Sequence, residues 1–189
     1  TSNLDLGYTI NDLTEFNLDE LTREEASGLL KQLCASEQMI MDDALIDYTL
    51  NKLVWNIPYF IQIIFANLME FHDEGAVITK ESIDTAYNRL VSENYLTTWS
   101  ERLIEYRELE NPARLILKSL SSAHSGLSRD TLLDILMTGQ DSSKIEETDY
   151  ALSKLLRMLE NDGYILKKDS IRVFRSPLLR DYWFNTFVQ

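Results

Sequence analysis

Cysteine is nearly absent from this 189-residue chain. Cys34 stands alone, which excludes an intramolecular disulfide framework and fits a reducing compartment. Three prolines and six glycines are too few for long loop-rich or low-complexity stretches. No run of eighteen apolar residues occurs, so no membrane span is expected. No basic and then apolar leader opens the chain, so a cytoplasmic setting is expected. Histidine is also scarce: His72 and His124 lie far apart, neither belongs to an HExxH pattern, and no CxxC exists, which argues against a zinc site. There is no GxxxxGK[ST] loop and no GxGxxG fingerprint, hence no phosphate cradle of that kind. Cys34 falls within an apolar helical pattern and reads as an inert core thiol. The catalytic set is therefore empty, and alone the chain does not read as a complete enzyme.

Positive charge is missing from one part in particular. Residues 1–111 hold 7 Lys and Arg against 21 Asp and Glu, a net of −14, whereas residues 112–189 hold 11 against 10, a net of +1. Such asymmetry indicates two units with different partners. The first would repel nucleic acid and anionic membranes. Its paired carboxylates, Glu24-Glu25, Asp42-Asp43 and Asp73-Glu74, read as solvated helix faces.

What is present is helical periodicity. A short extended piece is expected at Glu15–Leu18. Thr22 with Glu25 forms a capping box before Ala26, Leu29, Leu30 and Leu33. A second helix is expected over roughly 40–54, with Ile40, Ala44, Leu45, Tyr48, Leu50 and Leu53 apolar. The run NIPYFIQIIFANL, residues 56–68, then predicts a helix from Pro58 to about residue 71 that is buried on nearly all sides. Proline suits its first turn because the missing N–H would have no helical partner there. Thr79 caps a fourth helix with Ile83, Ala86, Tyr87 and Leu90 on one face. A further helix is expected over about 94–109, and Glu110-Asn111-Pro112 punctuates the chain near 111.

The second unit has another rhythm. Pro112 opens ARLILKSLSSA, Ser128 caps RDTLLDILMTG, and Ser143 with Glu146 makes a capping box for a helix through TDYALSKLLRMLENDG. YILKK and IRVFR, with Asp169-Ser170 between them, read as a hairpin. Ser176-Pro177 starts a closing helix, and Phe174, Tyr182, Trp183, Phe184 and Phe187 read as core joining it to the hairpin. Three helices and then a hairpin follow the winged helix-turn-helix plan. In a nucleic-acid reading the contacts would be Lys154 and Arg157 on the third helix and Lys167, Lys168 and Arg172 on the wing. With a net of only +1, an interaction module is favoured over a sequence reader.

The order NDLTEFNLDELTREEASGLLKQL, NIPYFIQIIFANL, ITKESIDTAYNRL resembles the helical lid of bacterial and archaeal ATPases of the AAA+/STAND type. YILKKDSIRVFRSPLLRDYW resembles the wing and closing helix that follow that lid. The resemblance implies a mainly α chain: a lid-like bundle over 1–111, then a winged helix over 112–189 with a small hairpin wing. It implies the C-terminal part of a longer ATPase, in keeping with a chain that opens on Thr1. ATP or ADP with Mg²⁺ would be held only together with a P-loop nucleotide-binding domain of the same parent chain, and the winged helix would meet a protein partner. Asn56-Ile57-Pro58 matches the family's Gly-x-Pro stretch with Asn in place of Gly. The resemblance implies that Asn56, Pro58 and Tyr59 approach the adenine side of a nucleotide. No Arg or Lys occurs between Lys52 and Lys80, so this turn would not feel the terminal phosphate. The alternative is a DNA-binding regulator with an acidic helical effector domain.

Overall fold

The computed structural model describes residues 20–73 and 75–189. The extended piece expected at Glu15–Leu18, and Glu74, lie outside them. The described residues are mainly helical, with one small antiparallel sheet.

Helix α1 is Arg23–Ser36. The Thr22 hydroxyl accepts from the Glu25 N–H and the Glu25 carboxylate accepts from the Thr22 N–H at 2.8 Å, the expected capping box. Helix α2 is Asp43–Leu53, three residues later than the apolar pattern suggested. Asp42 caps it by accepting from the Leu45 N–H at 2.8 Å, which leaves Ile40 in the preceding loop, 87% exposed. Helix α3, Pro58–Asp73, buries Phe60, Ile61, Ile64 and Leu68 completely and forms the centre of the first half. Helix α4, Lys80–Ser92, starts on a Thr79 cap that Ser82 reciprocates, and it buries all four expected positions.

The stretch expected as one helix over 94–109 is broken. A 3-10 turn at Asn94–Leu96, a short helix α5 at Thr97–Glu101 and a 3-10 run at Arg102–Leu109 replace it, and Arg107 sits at φ +53°. The cause is visible in the burial: Leu103, Tyr106 and Leu109 are the buried positions, three apart, and a 3-10 helix aligns every third residue. Helix α6, Glu110–Ser122, therefore begins two residues before Pro112, which occupies a first-turn position where no N–H is needed.

Strand β1, Leu127–Ser128, leads into α7, Arg129–Met137, capped by Ser128. The capping box expected of Ser143 and Glu146 is not formed. Asp141 accepts from the Ser143 N–H at 2.8 Å and caps a 3-10 turn at Ser142–Lys144, from which α8 continues over Ile145–Asn161. Strands β2, Ile165–Lys168, and β3, Ile171–Phe174, pair antiparallel with Lys167 opposite Arg172, and the sheet order is β1-β3-β2. Asp169 makes the turn at φ +51°, a conformation Asp tolerates.

Helix α9, Pro177–Phe187, capped by Ser176, packs on α4 and α6 as well as the sheet. Trp183 stacks with Tyr164, Phe174, Tyr182 and Phe187 at centroid distances of 5.5–6.1 Å. The Tyr87 hydroxyl donates to Asp181 at 2.9 Å, and Ser100 and Tyr182 hydroxyls meet at 3.1 Å. The last helix thus seals a core shared by both halves.

Candidate functional site

The joint between α2 and α3 carries the residues singled out for nucleotide contact. Val54 ends α2 at φ +60°, ψ −52°, and the Trp55 N–H donates to the Leu53 carbonyl at 2.6 Å. This is a γ-turn of the rare strained kind, centred on a β-branched residue for which positive φ is costly. A second tight bond follows, from the Ile57 N–H to the Trp55 carbonyl at 3.1 Å, and α3 then begins.

Segments from both ends of the chain hold this joint. The Asn56 N–H donates to Glu20 Oε1 at 3.4 Å, and the Asn56 carbonyl accepts from the Leu21 N–H at 3.1 Å. Ser176 Oγ donates to the Leu53 carbonyl at 3.4 Å. The Trp55 ring lies edge-on to Phe60 and Trp99, at 5.6 and 5.8 Å, and the Arg175 guanidinium covers it at 4.6 Å. Gly163, at φ +82°, closes the remaining side: a Cβ there would lie 2.5 Å from Trp55 Cη2. Gly163→Ala combines a left-handed backbone with a forced shift of Trp55. It is expected to lower stability by about 2–4 kcal/mol and to change the tryptophan emission. Urea unfolding followed by fluorescence checks this, and a loss under about 0.5 kcal/mol, the usual surface range, would refute the packing argument.

The candidate nucleotide contacts are placed as follows. Asn56 is buried at 8% exposure, and its Oδ1 has no hydrogen-bond partner among the described residues. Pro58 is half-buried. Tyr59 is 40% exposed, and its hydroxyl donates to the Tyr95 carbonyl at 3.0 Å. The N–H groups of Phe60 and Ile61 already donate to the Ile57 carbonyl, so the first turn of α3 has little donor capacity to spare.

The basic residues separate into two kinds. Lys154 and Arg157 lie exposed on α8, and Lys167 and Lys168 lie exposed on β2, without a carboxylate partner among the described residues. Arg172 is engaged: its side chain is 12% exposed and its Nε donates to Glu160 at 3.0 Å. No group of three His, Cys, Asp or Glu that would hold a metal ion occurs among the described residues. None of the described helices is long and apolar enough to cross a membrane.

A cleft of about 270 Å³ beside the joint was not anticipated from the sequence. Val54, Leu120, His124, Lys168, Val173, Arg175, Pro177 and Arg180 contribute to its lining. These residues come from four separate stretches, and no local motif links them.

No family model matches the chain, and no curated protein does. Among solved structures, the chain is similar to the Walker-type ATPase PABY2304 of Pyrococcus abyssi, at 12% identity, over 87% of this chain and with a TM-score of 0.57. The match spans 42% of that protein's chain. At this identity the likeness shows a shared fold.

Proposed function

We propose that this chain is the C-terminal regulatory portion of a P-loop ATPase and is not catalytic alone. In this reading residues 1–111 are a lid over the nucleotide site and residues 112–189 a winged helix that couples nucleotide state to a protein partner. The observation that carries it is the likeness in fold, over most of this chain, to less than half of a Walker-type ATPase. The element order α6, β1, α7, α8, β2, β3 and the sheet order β1-β3-β2 support the winged-helix assignment. ATP or ADP with Mg²⁺ would be bound mainly by the nucleotide domain of the parent chain, with Asn56, Pro58 and Tyr59 on the base side, in the cytoplasm.

The joint at Val54–Pro58 gives the coupling a physical route. It touches Gly163, Arg175 and Ser176 directly, so a displacement of the first turn of α3 is felt by the wing and α9. Nucleotide shifts such an arrangement only insofar as it binds two states unequally. The test compares this chain with its full-length parent. The parent is expected to hydrolyse ATP or to retain nucleotide, and this chain to show no turnover. A parent Pro58→Ala variant is expected to lose ADP and ATP affinity alike, by roughly three- to tenfold, about 0.7–1.4 kcal/mol. Turnover by this chain, or loss of ATP binding alone, would overturn the assignment.

The exposed cations Lys154, Arg157, Lys167 and Lys168 support a second reading, a DNA-binding regulator. It requires duplex binding at low salt that weakens steeply with added salt and is lost in Lys154→Glu/Arg157→Glu. Absence of a low-salt gel shift would remove it.

A further inference from the structure

We infer that the cleft between the Val54 turn, the wing and the start of α9 binds a phosphate group. Its lining holds four nitrogen-bearing side chains, His124, Lys168, Arg175 and Arg180, and no Asp or Glu. The chain as a whole carries −13, so this convergence runs against its general charge. Glu20 and Asp181 offset part of the charge of Arg175 and Arg180 from outside the lining, and the positive charge that remains favours an anion.

The donors have capacity left. Arg175 Nε is buried and has no hydrogen-bond partner among the described residues. Nε itself is closed to solvent, so a ligand in the cleft meets the exposed part of the Arg175 side chain instead. Its neighbour Glu20 stands 3.8 Å from Nη2, a loose pair rather than a hydrogen bond. Arg180 directs Nε and Nη2 to the same Asp181 oxygen, at 2.8 and 2.6 Å, which leaves Nη1 for a ligand. Lys168, at the end of β2, is exposed and supplies an ammonium. Two guanidinium groups, an ammonium and an imidazole offer more donors than a carboxylate can use. They suit the several oxygens and the double charge of a phosphate. The strained Val54 turn forms one rim, and strain of this kind collects at ligand sites.

This cleft lies within the present chain, so the inference does not depend on the nucleotide domain. The ligand chemistry is phosphate, whether from a nucleotide's phosphate chain or from free phosphate or pyrophosphate. The experiment follows the Arg side-chain Nε–H resonances of the 189-residue chain during titration with sodium pyrophosphate, against sodium chloride at matched ionic strength. Pyrophosphate is expected to shift the Arg175 resonance saturably, with a Kd below about 1 mM. Lys168→Ala and Arg180→Gln are each expected to weaken binding roughly fivefold or more at unchanged far-UV dichroism. A shift reproduced by chloride, or an affinity unchanged in both variants, overturns the site.

Further arms identify the source. ADP binding as tightly as pyrophosphate and adenosine not at all assigns the site to the nucleotide's phosphates. Inorganic phosphate binding as tightly as either assigns it to the free ion. Displacement of pyrophosphate by a short DNA duplex overturns the small-ligand assignment in favour of a nucleic-acid backbone. Saturable pyrophosphate binding beside an inactive parent would retain this inference and remove the ATPase reading, and the opposite pair of results would do the reverse.

Discussion

Trp183→Ala is expected to lower the free energy of unfolding by about 3–5 kcal/mol, the range for removing a large aromatic from a filled core. Trp183 is 1% exposed and touches aromatic rings from the stretch before β2, from β3 and from α9 itself. Because α9 lies against α4 and α6 together, the loss should be felt by both halves at once. Far-UV dichroism and the fluorescence of the remaining tryptophans, Trp55 and Trp99, should therefore report one coincident urea transition, displaced to lower denaturant. An α1–α4 transition that stays at the wild-type midpoint would refute the shared core. Trp183→Phe, which keeps most of the packing, should cost distinctly less.

Stability should also fall steeply above pH 10. Three of the buried tyrosines donate their hydroxyls to carboxylate or carbonyl acceptors: Tyr87 to Asp181 at 2.9 Å, Tyr106 to Asp162 at 2.6 Å, and Tyr164 to the Trp99 carbonyl at 2.6 Å. Burial is the main cause that raises each above the ordinary tyrosine value of 10. The neighbouring carboxylates reinforce it at Tyr87 and Tyr106. Tyr164 is pushed up to about 12, and the other two go higher. A raised folded-state value means that the folded protein retains a proton the unfolded chain has lost. The contribution is complete below pH 10 and is lost as pH rises. With three such groups the slope is about 4 kcal/mol per pH unit between pH 10 and about 12, where Tyr164 begins to ionise in the folded state. Absorbance at 295 nm should show Tyr87 and Tyr106 ionising only on unfolding, and Tyr164 in the folded protein only near pH 12. Stability that stays flat from pH 9 to 11.5 would refute this.

The nucleotide reading carries a constraint from the joint. Asn56 was legible as a polar residue before the helix-starting proline, and burial adds an unpartnered Oδ1. Tyr59 was legible as an aromatic in the first turn, yet its hydroxyl is spent on Tyr95. If this turn reports a bound base, it does so by packing and by displacement of the joint more than by donating from α3. Such a displacement would reach the residue after β3 through the contact of Trp55 with Arg175.

Several parts of the fold were written locally and were readable. The Thr22–Glu25 box, the Thr79 and Ser128 caps, the proline start of α3 and the Asp169-Ser170 hairpin each depend on residues within four positions of one another. Backbone donors are satisfied there by near neighbours, so type and spacing suffice. The pairing of Arg172 with Glu160 was not readable, because it joins β3 to α8 and removes one of the expected nucleic-acid contacts from the free set.

The sequence by itself therefore determined most of the helices, though not the one expected over 94–109, together with the hairpin, the apolar centre of α3 and the uneven charge, since periodicity and capping act over a few residues. Tertiary structure alone decided the γ-turn at Val54, the 3-10 run before α6 and the cationic cleft. The γ-turn sits where Ser176, 123 residues away, reaches the Leu53 carbonyl and Gly163 makes room for Trp55. A strained turn survives only when surrounding contacts over-determine it, and those contacts belong to segments that meet only after the chain has folded.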